Sequence, residues 1–150
     1  MAIVETGWTK GIADGRGDKL GQYVVWTDSG GTDHRQYNIG PSPLPQSTWL
    51  WFKVLYSYSA NRWEVWLENN VPWYQPYPLG WTSGATMAIG GENNDWNGYI
   101  NASHYHPQYR VGAGAWTLYN YAYRNTIGQG CIRQAYDYGA FAWGPTSSCP

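Results

Sequence analysis

The strongest constraint on the fold of this chain is an alternation of side chains with a period of two residues. It is clearest over residues 48–58, and a turn at Ser59-Ala60-Asn61 leads into a second alternating segment over residues 62–68. A period of two places successive side chains on opposite faces of a β-strand, whereas a helical face repeats about every 3.6 residues. The two segments therefore predict a β-hairpin.

The same kind of signal recurs along the chain between clusters of turn-forming residues. Further strands are predicted over residues 2–8, 22–27, 33–39, 71–77, 86–92, 98–106, 115–123 and 141–143, with a polar loop over residues 10–21. No window shows a sustained helical period, and the 19 glycines and 9 prolines oppose helix formation. We therefore predict one all-β domain over residues 1–150, an antiparallel β-sandwich with jelly-roll architecture.

The composition excludes several classes of function. The formal net charge is −1 and charged residues are 13% of the chain, so the sequence lacks the basic surplus that nucleic acids and anionic membranes attract. Aromatic residues make up 18%, which excludes a disordered chain, and no apolar run is long enough to span a membrane. The excess of Trp and Tyr suits sheet faces and binding grooves, because these rings carry a polar atom beside an apolar surface.

Two of the four glutamates stand out because each interrupts an apolar segment. Glu5 lies in Ala-Ile-Val-Glu-Thr-Gly-Trp and Glu92 in Met-Ala-Ile-Gly-Gly-Glu-Asn, whereas a solvated hairpin face accounts for Glu64 and Glu68. A carboxylate on a buried strand is costly unless it is paired or faces a cleft. Two carboxylates that share a site have their pKa values pushed apart, which gives one acid and one base at a single pH. Alternatively, each glutamate ends its strand and is bonded to a loop.

The cysteines and histidines favour a disulfide over a metal site. Cys131 and Cys149 lie near the end of the sequence with no pair of histidines that would complete a closed zinc site. One disulfide between them, in an oxidising compartment, is the preferred interpretation, and two buried thiols are the alternative. His104 and His106 share one face of a predicted strand, but no third ligand is recognisable, so solvent-facing histidines are favoured over a metal pair. We predict no metal site.

A ladder of aromatic residues extends over the predicted hairpin and the segment after it. Such rings could stack sugars or clamp a proline-rich peptide, although half of the ladder is expected to belong to the core. Its members are Trp49, Trp51, Trp63, Trp66, Trp73, Tyr74, Tyr77 and Trp81.

Several segments of the chain resemble the neprosin family. Ile3-Val4-Glu5-Thr6-Gly7-Trp8 resembles the strand that holds the first catalytic glutamate of that family, and residues 85–92 (Ala-Thr-Met-Ala-Ile-Gly-Gly-Glu) resemble the strand that holds the second. Residues 23–27 are similar to its Tyr-Trp-Thr strand, and residues 61–78 to its hairpin and the aromatic-proline segment that follows. Its C-terminal closing loop is similar to Cys131, Tyr136-Asp137, Gly144-Pro145 and Cys149-Pro150.

The resemblance implies a two-sheet, concanavalin-like jelly roll shared with the glutamic peptidases, with Glu5 and Glu92 as the catalytic dyad. Neprosins are secreted and are associated with acidic pH and with cleavage after proline. We therefore expect a secreted acid endopeptidase that needs no metal or organic cofactor, with Glu92 as the base and Glu5 as the acid. The expected substrate-binding residues are Trp8, Trp26, Gly90, Gly91 and Trp96.

The chain departs from the family at its start. Members of the family have further strands before the first glutamate, whereas this sequence begins close to Glu5. A first strand without those neighbours exposes unpaired backbone groups, so we expect it to lie at a sheet edge or to pair with a second copy of the chain. The second functional interpretation is a non-catalytic secreted binding or structural module, whose aromatic-rich face takes a glycan, a peptide or another copy.

Overall fold

In the computed structural model of the protein, every regular element among the described residues is a β-strand. The described residues are 2–11, 17–45, 47–84, 102–105, 108–118, 130–136 and 140–145. They fall into two compact units, Met1–Ala85 and Thr86–Pro150. The expectation of an all-β chain is confirmed for this part of the sequence.

The first unit contains two antiparallel sheets of three strands each. Its strands are β1 Val4–Gly11, β2 Gly17–Thr27, β3 Asp33–Tyr37, β4 Phe52–Ser57, β5 Arg62–Leu67 and β6 Asn70–Tyr74. One sheet has the order β1-β2-β3 and the other the order β4-β5-β6, so each is built from strands that follow one another along the chain.

One hydrophobic core is shared by these two sheets. In the first sheet the register pairs Val4 with Trp26, and in the second it pairs Val65 with both Val54 and Trp73. Because side chains alternate along a strand, the residues immediately before and after each of these core residues point away from the core. The buried members of the core are Val24, Trp26, Ile39, Trp63, Val65, Trp73 and Leu79.

The hairpin predicted around Ser59-Ala60-Asn61 is present between β4 and β5. The first strand ends at Ser57 and the second begins at Arg62. Asn61 has a φ of 53°, in the left-handed region that asparagine tolerates better than most residues. Its Oδ1 accepts a hydrogen bond of 2.6 Å from the Tyr56 hydroxyl, which ties the turn to the strand before it.

Several strand boundaries differ from the expectations. The polar segment 10–21 is partly strand, since β1 continues to Gly11 and β2 begins at Gly17. Pairing of these two glycines across the strands outweighs their low strand propensity. The strand expected over residues 48–58 is shorter, and Trp49 and Trp51 precede it as exposed residues.

The second unit has strands in two further groups. They are β7 Ala102–Tyr105, β8 Gln108–Tyr109, β9 Thr117–Leu118, β10 Gly130–Tyr136 and β11 Ala140–Pro145. One antiparallel sheet has the order β10-β11-β7, and β8 pairs with β9. The sequence pattern does not predict β10, because its segment has little apolar alternation. Its strand conformation comes from pairing with β11, in which Gly130 lies opposite Pro145.

β1 lies at one end of its sheet in the part of the chain that the structure describes. The strand edge at this position was expected from the sequence, and self-association through it stays a prediction. The single-domain jelly-roll sandwich also stays a prediction. Among the described residues, no helix is long and apolar enough to cross a membrane.

Candidate functional site

Glu5 lies on the face of sheet β1-β2-β3 that points away from the core. Its neighbour Val4 packs against the core, and successive side chains of a strand point to opposite faces. The register pairs Glu5 with Val25 on β2, and Val25 with Arg35 on β3. Glu5 is exposed, so the strand carries a carboxylate without burying it. This outer face, as it is called below, carries Glu5, Gly7, Tyr23, Val25, Arg35 and Tyr37.

Tyr23 holds the Glu5 carboxylate on the outer face. The Tyr23 hydroxyl donates a hydrogen bond to Glu5 Oε1. Tyr23 is paired with Gly7, and a Cβ at position 7 would lie 3.3 Å from Tyr23 Cε1. An alanine there would press on the ring, so the absence of a side chain at Gly7 is part of the arrangement that brings the phenol to Glu5.

Trp8 and Trp26 do not lie on the face that carries Glu5. Trp26 is paired with Val4 and is 8% exposed, as a member of the core, and Trp8 is paired with Gln22 on the same core face. Glu5 and Trp8 are an odd number of positions apart on one strand, so their side chains point to opposite faces. The two tryptophans therefore lie on the opposite face of the sheet from Glu5, and their role as substrate-binding residues stays a prediction.

The alternation of side chains does not reveal Tyr23 as a partner of Glu5. The signal that could have found it is the glycine two positions after the carboxylate, since a glycine in a strand often marks a place where another group approaches closely. A cross-strand aromatic residue is the usual group to cover such a glycine.

The other half of the expected site lies outside the described residues. This applies to Glu92, Gly90, Gly91 and Trp96, so the dyad stays a prediction. Cys131 belongs to β10, and Cys149 lies outside the described residues, so the disulfide is also untested. His104 belongs to β7, and His106 lies outside the described residues.

Glu64 is buried, contrary to the expectation of a solvated hairpin face. It is 6% exposed, and Arg62 Nε donates a hydrogen bond of 3.0 Å to its Oε1. The register places Glu64 between Leu55 and Tyr74, and the Arg62 guanidinium carbon lies 4.1 Å from the centre of the Tyr74 ring. Neighbouring side chains on the sheet therefore cover a carboxylate that alternation alone directs towards solvent.

Asp28 and His34 form a carboxylate–histidine pair that closes the loop between β2 and β3. The sequence pattern does not reveal this pair. Asp28 Oδ1 accepts hydrogen bonds of 2.9 Å from the backbone N–H groups of Gly30 and Thr32. Asp28 Oδ2 lies 2.8 Å from His34 Nε2. The hydrogen bond with His34, followed by that with Thr32, holds the pKa of Asp28 below its ordinary value.

Aromatic side chains hold the His34 ring in place. It stacks on Trp26 with ring centroids 5.3 Å apart, and Tyr77 approaches it edge-on with centroids 6.3 Å apart. Trp26 Nε1 donates a hydrogen bond of 3.4 Å to the Tyr77 hydroxyl. The contact of His34 with Asp28 therefore anchors the loop between β2 and β3. Among the described residues, no cluster of three or more His, Cys, Asp or Glu could hold a metal ion.

An open cleft of about 330 Å³ begins at the same loop. Gly80, with a φ of 83°, faces the loop closely, because a Cβ on it would lie 3.5 Å from Ser29 Cβ. The cleft is lined by Ala2, Thr27, Asp28, Ser29, Gly31, Leu79, Gly80 and Trp81. Its lining combines one carboxylate and two hydroxyl groups with an indole ring.

The aromatic ladder divides between the core and the surface. Trp63 and Trp73 are buried in the core, and Trp81 packs against it. The Trp66 ring is covered by the ammonium group of Lys53, 4.0 Å from the ring centre. The exposed members are Trp49, Trp51, Tyr74 and Tyr77.

Comparisons of the chain with known protein families, with characterised proteins and with solved structures find no match. The resemblance to the neprosin family therefore depends on the sequence motifs alone.

Proposed function

We propose that this protein is a peptidase of the glutamic type, in which Glu5 is one of two catalytic carboxylates and Glu92 is the other. The observation that supports the proposal is the position of Glu5, whose carboxylate is exposed on the outer face and bound there by the Tyr23 hydroxyl. A carboxylate that takes part in a reaction must be open to substrate and held in a fixed place. Glu5 meets both conditions.

The proposed reaction divides the work between the two carboxylates. Glu92 accepts a proton from the attacking water, and Glu5, protonated, polarises the scissile carbonyl and donates a hydrogen bond to the developing oxyanion. Glu92 then returns its proton to the leaving amine as the C–N bond breaks. Because the Tyr23 hydroxyl occupies Glu5 Oε1, Oε2 is the oxygen that carries the proton in this scheme. Activity is expected on the acid side and is lost by neutrality, because the scheme requires one of the two carboxyl groups to keep its proton.

The proposal extends to the fold and the compartment. Two antiparallel sheets that share one core are compatible with a jelly-roll sandwich of the neprosin type. We propose this architecture, secretion, a disulfide between Cys131 and Cys149, and cleavage after proline, as the resemblance implies.

The test is incubation of the full chain with an unfolded protein from about pH 3 to about pH 8, with mass spectrometry of the products. Glu92→Gln is expected to abolish cleavage, because an amide does not accept a proton from water. Glu5→Gln is expected to have a milder effect, because an amide still donates a hydrogen bond to the oxyanion.

Glu68→Gln is the matched control for these variants. Glu68 is exposed, and its Oε1 accepts a hydrogen bond of 2.8 Å from the Trp51 backbone N–H, which a glutamine oxygen can also accept. This variant is expected to cleave like the wild type. The proposal would be contradicted if the wild type did not cleave, or if all three variants lost activity equally. Complete loss of activity in both Glu5→Gln and Glu92→Gln would overturn only the assignment of acid and base.

The second candidate function is a non-catalytic binding module. It is favoured by the large exposed fractions of Trp49 (64%), Trp51 (53%) and Tyr74 (54%), because exposed rings stack sugars and contact proline-rich peptides. The test is titration with soluble oligosaccharides and a proline-rich peptide, followed by tryptophan fluorescence. Trp49→Ala and Trp51→Ala are expected to weaken binding, whereas Val111→Ala, at a position 79% exposed, is the control. Absence of binding by the wild type would exclude this function.

A further inference from the structure

The outer face carries a second charged group in register with Glu5. Glu5 is paired with Val25, and Val25 with Arg35, so these residues form one row across β1, β2 and β3. Neighbouring strands are about 4.8 Å apart, which places the Cα atoms of Glu5 and Arg35 about 10 Å apart. Directly paired residues leave a sheet on the same side, so both side chains project from the outer face.

Arg35 is a cation available to a ligand. It is exposed, and no carboxylate of the described residues forms an ion pair with it. Asp33, on the same face of β3, accepts a hydrogen bond of 2.6 Å from the Thr27 hydroxyl instead. Arg62 differs from Arg35 in this respect, because its Nε lies 3.0 Å from the Glu64 carboxylate.

The surface between Glu5 and Arg35 is suited to a peptide. Val25 lies half-buried at the centre of the row and provides an apolar contact. The next row along the strands pairs Tyr23 with Tyr37, so phenol rings flank the line from the carboxylate to the guanidinium. The two phenol rings and the valine provide aromatic and apolar contacts, and Arg35 provides one positive charge at the end of the row. Such a surface can hold an extended, anionic peptide segment.

We propose, on the basis of the function proposed above, that Arg35 binds a carboxylate of the peptide substrate about three residues from the bond that is cleaved. An extended peptide advances about 3.3 Å per residue, so about three residues cover the distance from Glu5 to Arg35. A guanidinium binds a carboxylate through two parallel hydrogen bonds and stays charged at acidic pH.

The carboxylate has two sources, the C-terminus of a short peptide or the side chain of an Asp or Glu. An α-carboxyl group ionises at a pKa of about 3.3–3.7, below the value of about 3.9–4.3 for the side chains. At the acidic pH of the proposed reaction the C-terminus is therefore the more fully charged ligand.

The experiment uses two pairs of peptides that share one scissile bond. In the first pair the peptide ends three residues after that bond, as a free acid or as an amide. In the second pair a longer peptide has Glu or Gln at the same position. The wild type is expected to cleave the carboxylate-bearing member of at least one pair about tenfold faster in kcat/KM, because the charge-assisted hydrogen bonds to the guanidinium favour a carboxylate over a neutral amide. The pair that shows the preference identifies the source of the carboxylate.

Three variants assign the preference to Arg35. Arg35→Gln is expected to bring the ratio between acid and amide to about one, and Arg35→Lys to keep part of it, because an ammonium retains the charge without the two-pronged geometry. Arg110→Gln is the control, because Arg110 is an exposed arginine whose guanidinium lies 5.0 Å from the centre of the Trp116 ring. It is expected to keep the ratio.

The outcomes separate this proposal from the one it rests on. Cleavage by the wild type with equal kcat/KM for acid and amide in both pairs would overturn the carboxylate site and leave the peptidase proposal in place. A ratio that survives Arg35→Gln would also overturn the site. If the wild type cleaves none of the peptides and no unfolded protein, both proposals are overturned.

Discussion

At the scale of the residue, Tyr23 is the side chain that most directly affects the chemistry proposed for Glu5. Its hydroxyl binds one carboxylate oxygen, and its ring reaches that position across Gly7, which has no side chain in the way. Tyr23 is half-buried, but its hydrogen bond with Glu5 lies at the exposed surface, so the bond positions the carboxylate more than it stabilises the fold.

Tyr23→Phe removes the hydroxyl and keeps the ring. Cleavage is expected to fall about tenfold in kcat/KM, while the free energy of unfolding changes by less than about 1 kcal/mol. Enzyme kinetics and urea denaturation measure the two quantities. Because Tyr23 acts through Glu5, the double variant Glu5→Gln/Tyr23→Phe should be no slower than Glu5→Gln alone. Additive losses would contradict a positioning role.

At the scale of the element, the loop between β2 and β3 depends on the Asp28–His34 pair. The native pKa of Asp28 is below its ordinary value of 3.8, so the charged form stabilises the folded state. That stabilisation is fully present above the unfolded pKa and is lost as the pH falls through the lower native pKa. The pair should therefore support the fold at neutral pH and cease to do so in strong acid.

Asp28→Asn removes this titration. Its free energy of unfolding is expected to be lower than that of the wild type at neutral pH and to fall less between about pH 5 and about pH 2. Urea denaturation at a series of pH values measures the difference. His34→Phe keeps a ring against Trp26 but removes Nε2, so it should lose much of the same pH dependence. An unchanged pH dependence in Asp28→Asn would show that the pair does not form in solution.

The burial of the Glu64 carboxylate also depends on whole elements, because strands β4, β5 and β6 all contribute to its surroundings. Glu64→Gln is expected to lower the free energy of unfolding by roughly 1–2 kcal/mol, since Arg62 loses its opposite charge but keeps an oxygen acceptor. Glu68→Gln, at an exposed position, should stay within about 0.5 kcal/mol of the wild type. Urea denaturation at neutral pH distinguishes the two, and equal effects would contradict the burial of Glu64.

At the scale of the whole molecule, the proposed disulfide would join the last strands of the second unit to the end of the chain. Cys131→Ser is expected to lower the free energy of unfolding by about 3 kcal/mol in the chain-entropy treatment of a loop of this size. Cys149→Ser and the double variant should have the same effect, because each removes the same bond. Labelling of both thiols in the unreduced wild-type protein would refute the disulfide.

The alternation of side chains made several features predictable from the sequence. The hairpin turn at Asn61 follows from two alternating segments around a turn-forming cluster, and the structure has β4 and β5 at those places. Alternation also implies that Val4 and Glu5 point to opposite faces, and that Trp8 shares the face of Val4. Applied strictly, it would have placed Trp8 on the face opposite Glu5, whereas the position of Tyr23 opposite Gly7 comes from the register between β1 and β2.

The sequence by itself determined that the described chain forms β-strands and which side chains of one strand share a face, because both depend on the order of residues within a single segment. Only the tertiary structure decided which face is covered: it placed Trp26 in the core, enclosed Glu64 beside Arg62 and Tyr74, and brought His34 to Asp28. The physical reason is that burial and hydrogen bonding depend on pairs of segments. The free energy of each contact is set by the partner that another strand or loop brings to it.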